Sequence, residues 1–228
     1  MRTITPAAGA TLLFEGDSMT NFRSAPTLDT WAWCRLTGAH YGYPERVGDW
    51  VFCQRPELAW AVRNGAIAGA VMSEVLARFE QNVVPLKPAL VVLTIGSNDA
   101  ARGVDPAAVA ASMATYCTRL AATSGGTVIH LGGVRPADAG QDPALRARTQ
   151  AIMTAVAATV RAHGGMSLDV QSILYRQQAV LQKLWSGHTV FHDGTHFNPV
   201  GAEIMAGIVL RALGLIALPG VPEPQDLV

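Results

Sequence analysis

The chain has 228 residues, of which 50% are hydrophobic, and it carries 17 basic and 17 acidic side chains. This length and apolar content suit one compact α/β domain whose sheet is covered on both faces. Because the formal net charge is zero, no positive field exists to attract nucleic acid or an anionic membrane surface. A small neutral substrate is therefore the expected partner.

Short apolar runs alternate along the chain with longer stretches in which apolar residues recur at helical spacing. This alternation predicts a parallel sheet covered by helices. The predicted strands are residues 11–14, 58–62, 90–95, 127–131 and 167–170. The predicted helices are residues 44–52, 68–79, 106–122, 143–163 and 199–213. Asp105, Asp142 and Asn198 precede three of these helices and are the predicted N-caps.

Two segments have no regular periodicity. Residues 20–43 contain Pro26, Gly38 and Gly42 and are predicted to form a long loop, and loops of that length inside a domain usually have a function. We expect residues 1–218 to form a single domain. The Pro-rich residues 219–228 are expected to be extended or disordered.

The sequence also bears on compartment and redox state. No long apolar segment precedes the first motif, so no secretion signal is visible, and residues 204–218 are too short and too interrupted to span a bilayer. A soluble protein, cytoplasmic by default, is the expectation, and the oligomeric state is left open. Cys34, Cys53 and Cys117 have no metal-ligand spacing and are interpreted as reduced, with a Cys34 to Cys53 bridge as the open alternative.

Polar residues follow several predicted strands, at the edge where open parallel sheets bind ligands. Four segments stand out: Glu15 to Ser18, Asn64 to Gly69, Gly96 to Asp99, and Asp193 to His196 near the C-terminus. Each is a weak signal by itself, because a triplet such as Gly-Asp-Ser is more often a turn followed by a helix cap than a nucleophile.

Together and in this order, the four segments resemble the conserved blocks of the SGNH (GDSL-like) hydrolase superfamily. G-D-S falls on Gly16 to Ser18, with Met19 where leucine is usual, and N-x-x-x-x-G ends at Gly69. G-x-N-D includes Asn98, and D-x-x-H falls on Asp193 and His196. The resemblance implies a flavodoxin-like, three-layer α/β/α sandwich with a five-stranded parallel sheet. It also implies ester hydrolysis without a metal or another cofactor.

The residue types suit that chemistry. A serine hydroxyl is a weak nucleophile at neutral pH, so it needs a base within hydrogen-bond reach, and the base needs a partner that fixes its tautomer. Ser18, His196 and Asp193 are the candidates for nucleophile, base and partner. The oxyanion needs preorganised donors, and the candidates are the Ser18 N–H, the Gly69 N–H and the Asn98 amide. Gly69 is expected to open a helix, whose N-terminus favours an anion.

Other polar and aromatic residues near these segments are expected to have structural or peripheral roles. Asp17 is expected to hold the nucleophile turn through backbone hydrogen bonds, and Asp99 to cap the turn before Pro106. Trp31 and Trp33, in the loop after Ser18, are low-ranking candidates for the wall of the substrate site. His188 and His192 are interpreted as surface residues. No group of Cys, His and carboxylates has metal-ligand spacing, so no metal site is predicted.

The substrate is less constrained than the reaction. The polar residues after Ser18 favour short acyl groups, acetyl foremost, on a polar alcohol such as a carbohydrate hydroxyl. A lipid esterase or thioesterase, an acyltransferase using the same site, and a binding module without turnover are the alternatives. The absence of a G-x-S-x-G motif argues against an ordinary α/β-hydrolase.

Overall fold

A computed structural model of the chain describes residues 3–21, 42–132 and 142–216. Strands and helices alternate through these ranges, as the apolar pattern predicts. The strands are β1 (Thr11–Gly16), β2 (Ala61–Asn64), β3 (Leu90–Thr94), β4 (Thr127–Gly132) and β5 (Met166–Asp169). The helices are α1 (Tyr43–Gln54), α2 (Met72–Ala77), α3 (Phe79–Asn82), α4 (Ser97–Ala101), α5 (Pro106–Ser124), α6 (Pro143–Ala162), α7 (Val170–Leu184) and α8 (Pro199–Ala212).

The five strands form one parallel sheet in the order β2-β1-β3-β4-β5. This is the flavodoxin-like order, in which the direction of strand addition reverses between β1 and β3. The turns that follow β1 and β3 therefore open on opposite sides of a crevice at the carboxyl edge of the sheet. The predicted five-stranded parallel sheet is confirmed, and so is the α/β fold class.

Alternating side chains of the strands build two separate cores. On one face, Leu12 and Phe14 of β1 pack with buried residues of α1, α7 and α8. On the other, Leu13 of β1 packs with buried residues of α2, α3, α5 and α6. Because successive strand residues point to opposite faces, a sheet apolar on both faces requires helices on both sides. The result is the predicted three-layer α/β/α sandwich.

The helix starts follow the local sequence closely. Asp105 accepts a hydrogen bond from the Ala107 N–H at 2.8 Å, and Asp142 accepts one from the Ala144 N–H at 2.9 Å. The Asn198 side chain accepts from two backbone N–H groups at the start of α8. Each cap precedes a Pro in the first turn, where the missing N–H costs nothing. The three predicted N-caps are confirmed.

Several element boundaries differ from the prediction. β2 begins at Ala61 rather than residue 58, because Pro56–Leu58 form a 3₁₀ turn that ends with Ala59 in the left-handed region, at φ 49°. The predicted helix at residues 68–79 begins only at Met72. Helix α7 is absent from the prediction although Val170, Ile173 and Leu174 are buried at helical spacing, and Asp169 caps it. Its four Gln side chains, with Arg176 and Lys183, obscure that pattern.

Some predictions concern residues that lie outside the described ranges. These are the loop at residues 20–43 for all but its ends, Trp31, Trp33 and Cys34 within it, and the tail at residues 219–228. Of the other cysteines, Cys53 is a free exposed thiol and Cys117 is a free buried one. Across the ranges described, no helix combines the length and the apolar character needed to cross a bilayer.

Candidate active site

Ser18, His196 and Asp193 come together as a hydrogen-bonded chain, although 175 residues separate the serine from the aspartate in sequence. His196 Nε2 lies 2.9 Å from Ser18 Oγ, and His196 Nδ1 lies 2.6 Å from Asp193 Oδ2. A neutral imidazole has one N–H and one bare nitrogen, so a proton held on Nδ1 by the carboxylate leaves Nε2 to accept the serine proton. The three predicted triad residues therefore have the geometry of nucleophile, base and orienting group.

The Asp193 carboxylate is well supplied with donors. Partial burial opposes its ionisation, but the His196 ring and the backbone N–H groups of His196 and Thr195 outweigh this and hold the pKa of Asp193 well below its usual range. Its Oδ1 accepts from the Thr195 N–H at 2.9 Å and from the His196 N–H at 2.7 Å. The carboxylate thus stays ionised beside the imidazole and cannot rotate away from it easily.

A short hairpin carries Asp193 and His196. Phe191 and Phe197 form an antiparallel bridge and their rings stack, while the His192 N–H donates to the His196 carbonyl at 2.9 Å. We call residues 191–197 the catalytic hairpin. Phe191 is 3% exposed, so the base of this hairpin is anchored in the core.

Helices α7 and α8 hold the same hairpin from both sides. The Gln178 side chain on α7 lies within hydrogen-bond distance of Thr189 Oγ1 at 3.2 Å and accepts from the Val190 N–H at 3.4 Å. A Cβ on Gly201 of α8 would lie 2.2 Å from the Val190 carbonyl oxygen, so only glycine permits this approach. Gln178 was not identified from the sequence, because it lies on α7, which the apolar pattern did not predict.

The nucleophile turn depends on a glycine at the end of β1. Gly16 has a φ of 126°, and a Cβ there would lie 2.0 Å from the Thr94 carbonyl oxygen on neighbouring β3. Asp17 then closes the turn: its Oδ1 accepts from the Met19 N–H at 3.0 Å, and its carbonyl accepts from the N–H groups of Thr20 and Asn21. Ser18 is presented at the tip of this turn and is only partly buried.

Asp17 is a second carboxylate beside the nucleophile, but it points away from solvent. Burial raises its pKa to about 6, although the hydrogen bonds from the Met19 N–H and from Thr94 Oγ1 favour the ionised form. Its Oδ2 lies 3.3 Å from the Asn98 amide nitrogen. Asp17 therefore links the turn after β1 to the turn after β3, which agrees with a structural role rather than proton transfer to substrate.

Two backbone donors near Ser18 are open. Among the described residues, none accepts a hydrogen bond from the Ser18 N–H or from the Gly69 N–H. Gly69 does not open a helix as expected: it lies in a turn at φ 80°, two residues before the N-cap Val71 of α2. The dipole argument for Gly69 was therefore wrong, since α2 has only six residues and begins after the turn.

Asn98 occupies the third predicted oxyanion position, but its amide is already engaged. Nδ2 donates to Asp17 Oδ2 at 3.3 Å and to the Ala70 carbonyl at 3.2 Å. Both bonds are longer than the usual 2.9–3.0 Å for this type. Asn98 can therefore serve an oxyanion only by sharing or exchanging one of them, and in the free protein it ties the Gly69 turn to the nucleophile turn.

Two further residues support the site: Arg102 was not singled out from the sequence, and Asp99 was expected only to cap the turn before Pro106. Arg102 Nη2 donates to the Gly69 carbonyl at 2.7 Å and so fixes the turn that carries the open N–H. Asp99 accepts from the Met72 N–H at 3.0 Å and starts α2, rather than capping the turn before Pro106. Nothing in the sequence near Arg102 indicates its partner, because 33 residues separate the two groups.

The other histidines near the site stay outside the hydrogen-bonded chain. His188 packs against the Trp185 ring. His192 is exposed, its ring stacks on that of His196, and its Nε2 lies 3.8 Å from Asp193 Oδ2. Donor atoms of His192, Asp193 and His196 all lie within 4.8 Å of one another, a grouping that sequence spacing alone did not indicate.

The sequence of residues 14–204 matches the family described as the GDSL-like Lipase/Acylhydrolase family. The chain belongs to this family. Among curated protein sequences, none matches it significantly. As a family member it is an ester-hydrolysing enzyme.

Solved structures share the fold at low sequence identity. A catalytic mutant of Axe2, an acetylxylan esterase from Geobacillus stearothermophilus, is 22% identical with a TM-score of 0.72, over 93% of this chain and 98% of that one. A protein described as a GDSL-like lipase from Parabacteroides merdae is 18% identical with a TM-score of 0.77, over 94% and 100%. LAE5, described as an alpha/beta hydrolase enzyme from the metagenome of Lake Arreo, Spain, is 22% identical with a TM-score of 0.70, over 93% and 98%.

Proposed function

We propose that the enzyme hydrolyses short-chain acyl esters, acetyl esters foremost, of a polar alcohol such as a carbohydrate hydroxyl, through an acyl-enzyme on Ser18. The observation that carries this proposal is the continuous chain from Ser18 Oγ through both nitrogens of His196 to Asp193. The catalytic mutants described for Axe2 include changes of a serine and of an aspartate and a histidine three positions apart. That spacing is the spacing of Asp193 and His196 here.

The proposed reaction has two matched halves. Ser18 Oγ attacks the ester carbonyl carbon as its proton passes to His196 Nε2, and His196 then gives that proton to the departing alcohol oxygen. Water repeats the sequence on the acyl-enzyme: its proton passes to His196, its oxygen bonds to the carbonyl carbon, and Ser18 Oγ leaves with the proton. Asp193 stabilises the imidazolium that exists between the two proton transfers.

In each half, negative charge develops on the carbonyl oxygen. The Ser18 N–H and the Gly69 N–H are the donors we propose first, because no residue in the described ranges accepts a hydrogen bond from either. The Asn98 amide is proposed as the third, recruited when one of its two long bonds gives way. Loss of one such donor typically costs about 3 kcal/mol of barrier.

The surroundings of Ser18 support a small, polar substrate. The exposed large apolar side chains among the described residues are Phe52, Val180, Leu184, Trp185 and Val200. They lie on α1, on and just after α7, and on the first turn of α8, and none lies on the turns after β2 and β3 or on the part of the segment after β1 that the structure describes, which ends at residue 21. A long acyl chain needs a continuous apolar surface, worth about 0.8 kcal/mol for each methylene buried.

The first experiment tests the chemistry. A serine-directed fluorophosphonate should label Ser18 alone and abolish hydrolysis of p-nitrophenyl acetate. His196→Ala should lower kcat by roughly 10³-fold or more, and Asp193→Asn by less if the backbone still helps to orient the ring. His188→Ala is the matched control and should retain wild-type kcat. Labelling at another residue, or full activity in Ser18→Ala, would remove Ser18 from the mechanism.

The second experiment tests the substrate. Values of kcat/KM are measured for p-nitrophenyl esters from acetate to palmitate, followed by acetate release from acetylated xylo-oligosaccharides. Highest values at acetate or butyrate are expected. A steady rise beyond octanoate would favour a lipid esterase. Short-chain preference with no release from acetylated sugars would refute only the carbohydrate part, and ester formation with an added alcohol in place of hydrolysis would indicate an acyltransferase.

A further inference from the structure

The catalytic hairpin places a second imidazole directly across from the proposed base. His192 and His196 face each other on the two arms of the hairpin, which the Phe191 to Phe197 bridge and the His192 N–H to His196 carbonyl bond hold in register. Side chains at opposed antiparallel positions lie on one face, with Cβ atoms about 4.5–5.5 Å apart. The two imidazole rings accordingly stack, with centroids 5.9 Å apart and planes 22° from parallel.

Asp193 completes a set of three metal-binding side chains at the tip of this hairpin. His196 Nδ1 lies 2.6 Å and His192 Nε2 lies 3.8 Å from Asp193 Oδ2, and one donor atom from each of the three residues lies within 4.8 Å of the others. Tetrahedral zinc with nitrogen and oxygen ligands at about 2.0–2.2 Å needs those ligands about 3.4 Å apart. The two distances to Asp193 Oδ2 lie on either side of that spacing.

Zinc from solvent can reach these residues. The side chains of His192 and Asp193 are 45% and 40% exposed, and that of His196 is 24% exposed. Two imidazoles and one carboxylate form a donor set that zinc accepts, whereas magnesium prefers oxygen ligands alone. The fourth position is left for water.

We propose that His192, Asp193 and His196 form an inhibitory zinc site that switches the enzyme off. This rests on the proposed function, because His196 and Asp193 are the same residues that the proposed mechanism uses. Zn²⁺ takes the place of the proton on His196 Nδ1, and that proton moves to Nε2, because a neutral imidazole keeps one N–H. Zinc binding also turns Asp193 Oδ2 from the partner of the imidazole into a ligand of the metal.

The zinc-bound ring is a poor base. With Nδ1 bound to the metal and Nε2 carrying the N–H, the ring has no lone pair left to accept the Ser18 proton. Asp193, now a ligand of the metal, no longer holds the proton on Nδ1. The same three residues can therefore adopt two mutually exclusive arrangements. Without zinc, His196 is hydrogen-bonded to Asp193 and can act as the base. With zinc bound, the site has no usable base.

Binding and inhibition are measured separately on the full chain. Isothermal titration calorimetry with ZnCl₂ should show one bound zinc per chain. Initial rates with p-nitrophenyl acetate should fall in the same zinc range and recover on addition of EDTA, and MgCl₂ should leave them unchanged. If the chain does not hydrolyse esters at all, the proposed function fails, whereas the calorimetric titration still tests the metal site.

One substitution separates this site from other zinc ligands. His192→Gln removes a ligand outside the proposed catalytic chain, so its kcat without zinc should stay within about twofold of wild type while half-inhibition needs roughly tenfold more zinc or higher. His188→Gln and Cys53→Ser, each lacking a different exposed zinc ligand, should remain as sensitive as wild type. Unchanged zinc inhibition in His192→Gln would overturn the proposal, and so would zinc that binds without lowering the rate.

Discussion

The buried ion pair of Glu15 and Arg78, beneath the nucleophile turn, allows a quantitative test of the structure. Glu15 is 1% exposed at the end of β1, and its Oε2 accepts from Arg78 Nη2 at 3.0 Å. The same Arg78 nitrogen donates to the Gly16 carbonyl at 3.1 Å, and Asn82 donates to Glu15 Oε1 at 2.5 Å. Arg78→Met removes the cation and retains most of the side-chain volume, so the Glu15 carboxylate is left buried without its counter-charge.

Arg78→Met is expected to be strongly destabilising, because the Glu15 carboxylate remains buried without a counter-charge. Removing one member of a buried pair typically destabilises by about 3–5 kcal/mol, whereas replacing both can be nearly neutral. We expect Arg78→Met to lower the free energy of unfolding by that amount at pH 8, and Glu15→Gln combined with Arg78→Met to recover at least half of it. Arg102→Met is the matched control: its pair with Glu74 is also 3.0 Å long, but both side chains are about half exposed, so a loss below about 1 kcal/mol is expected.

The effect should also depend on pH. Burial raises the pKa of Glu15 even with Arg78 lowering it, so removal of Arg78 raises it further. A carboxyl whose pKa is raised on folding contributes stability when protonated and loses it as pH rises through the folded pKa. The cost of Arg78→Met should therefore be smaller at pH 5 than at pH 8. Urea unfolding at both pH values measures it, and a cost under about 1 kcal/mol at pH 8, or one identical at both values, would refute the reasoning.

Three further predictions concern other parts of the site and its support. Gly16→Ala should destabilise the fold and abolish activity, because its Cβ meets the Thr94 backbone at 2.0 Å. Gly96→Ala carries similar backbone strain at φ 112° but should cost less, since its Cβ meets side-chain atoms of Met153 and Ile152 at 3.0 Å or more rather than backbone; urea unfolding and esterase rates compare the two variants. Burial lowers the pKa of His130 to about 4, so this group contributes stability above pH 6.5 that is lost as pH falls toward 4, up to about 3 kcal/mol. His130→Gln should flatten that part of the unfolding free energy against pH, and an unchanged slope would contradict the assignment. EDTA should not lower the rate of the purified enzyme, and a loss restored by added metal would argue for a catalytic metal.

Much of the fold follows from local sequence. The five apolar runs and the Asp or Asn caps before Pro identify strands and helices because strand alternation and helix capping depend on residues only a few positions apart. Helix α7 shows where that reasoning fails. Its buried residues are spaced as in a helix, but its polar side chains outnumber them, and only packing against the sheet shows which face is inside.

For the candidate site, too, some features follow from local sequence and others only from packing. Ser18, Asp193 and His196 could be selected from four short segments in a characteristic order, since each segment lies at a strand end or in a tight turn. Their hydrogen bonds could not be selected from sequence, because the parallel sheet brings the turn after β1 to the catalytic hairpin across 178 residues. The engagement of Asn98, and the position of Gly69 before its helix, likewise emerge only from the packed turns.

Sequence by itself therefore determined the elements and the residue types of the reaction, and tertiary structure decided the contacts between them. The best example is the catalytic hairpin. The D-x-x-H spacing is visible in the chain, but the place of His192 beside Asp193 Oδ2 depends on a hairpin that the Phe191 and Phe197 pair and helices α7 and α8 hold in register. Local patterns carry the preferences of neighbouring residues, whereas the distance between two distant side chains is set by the packing of every element between them.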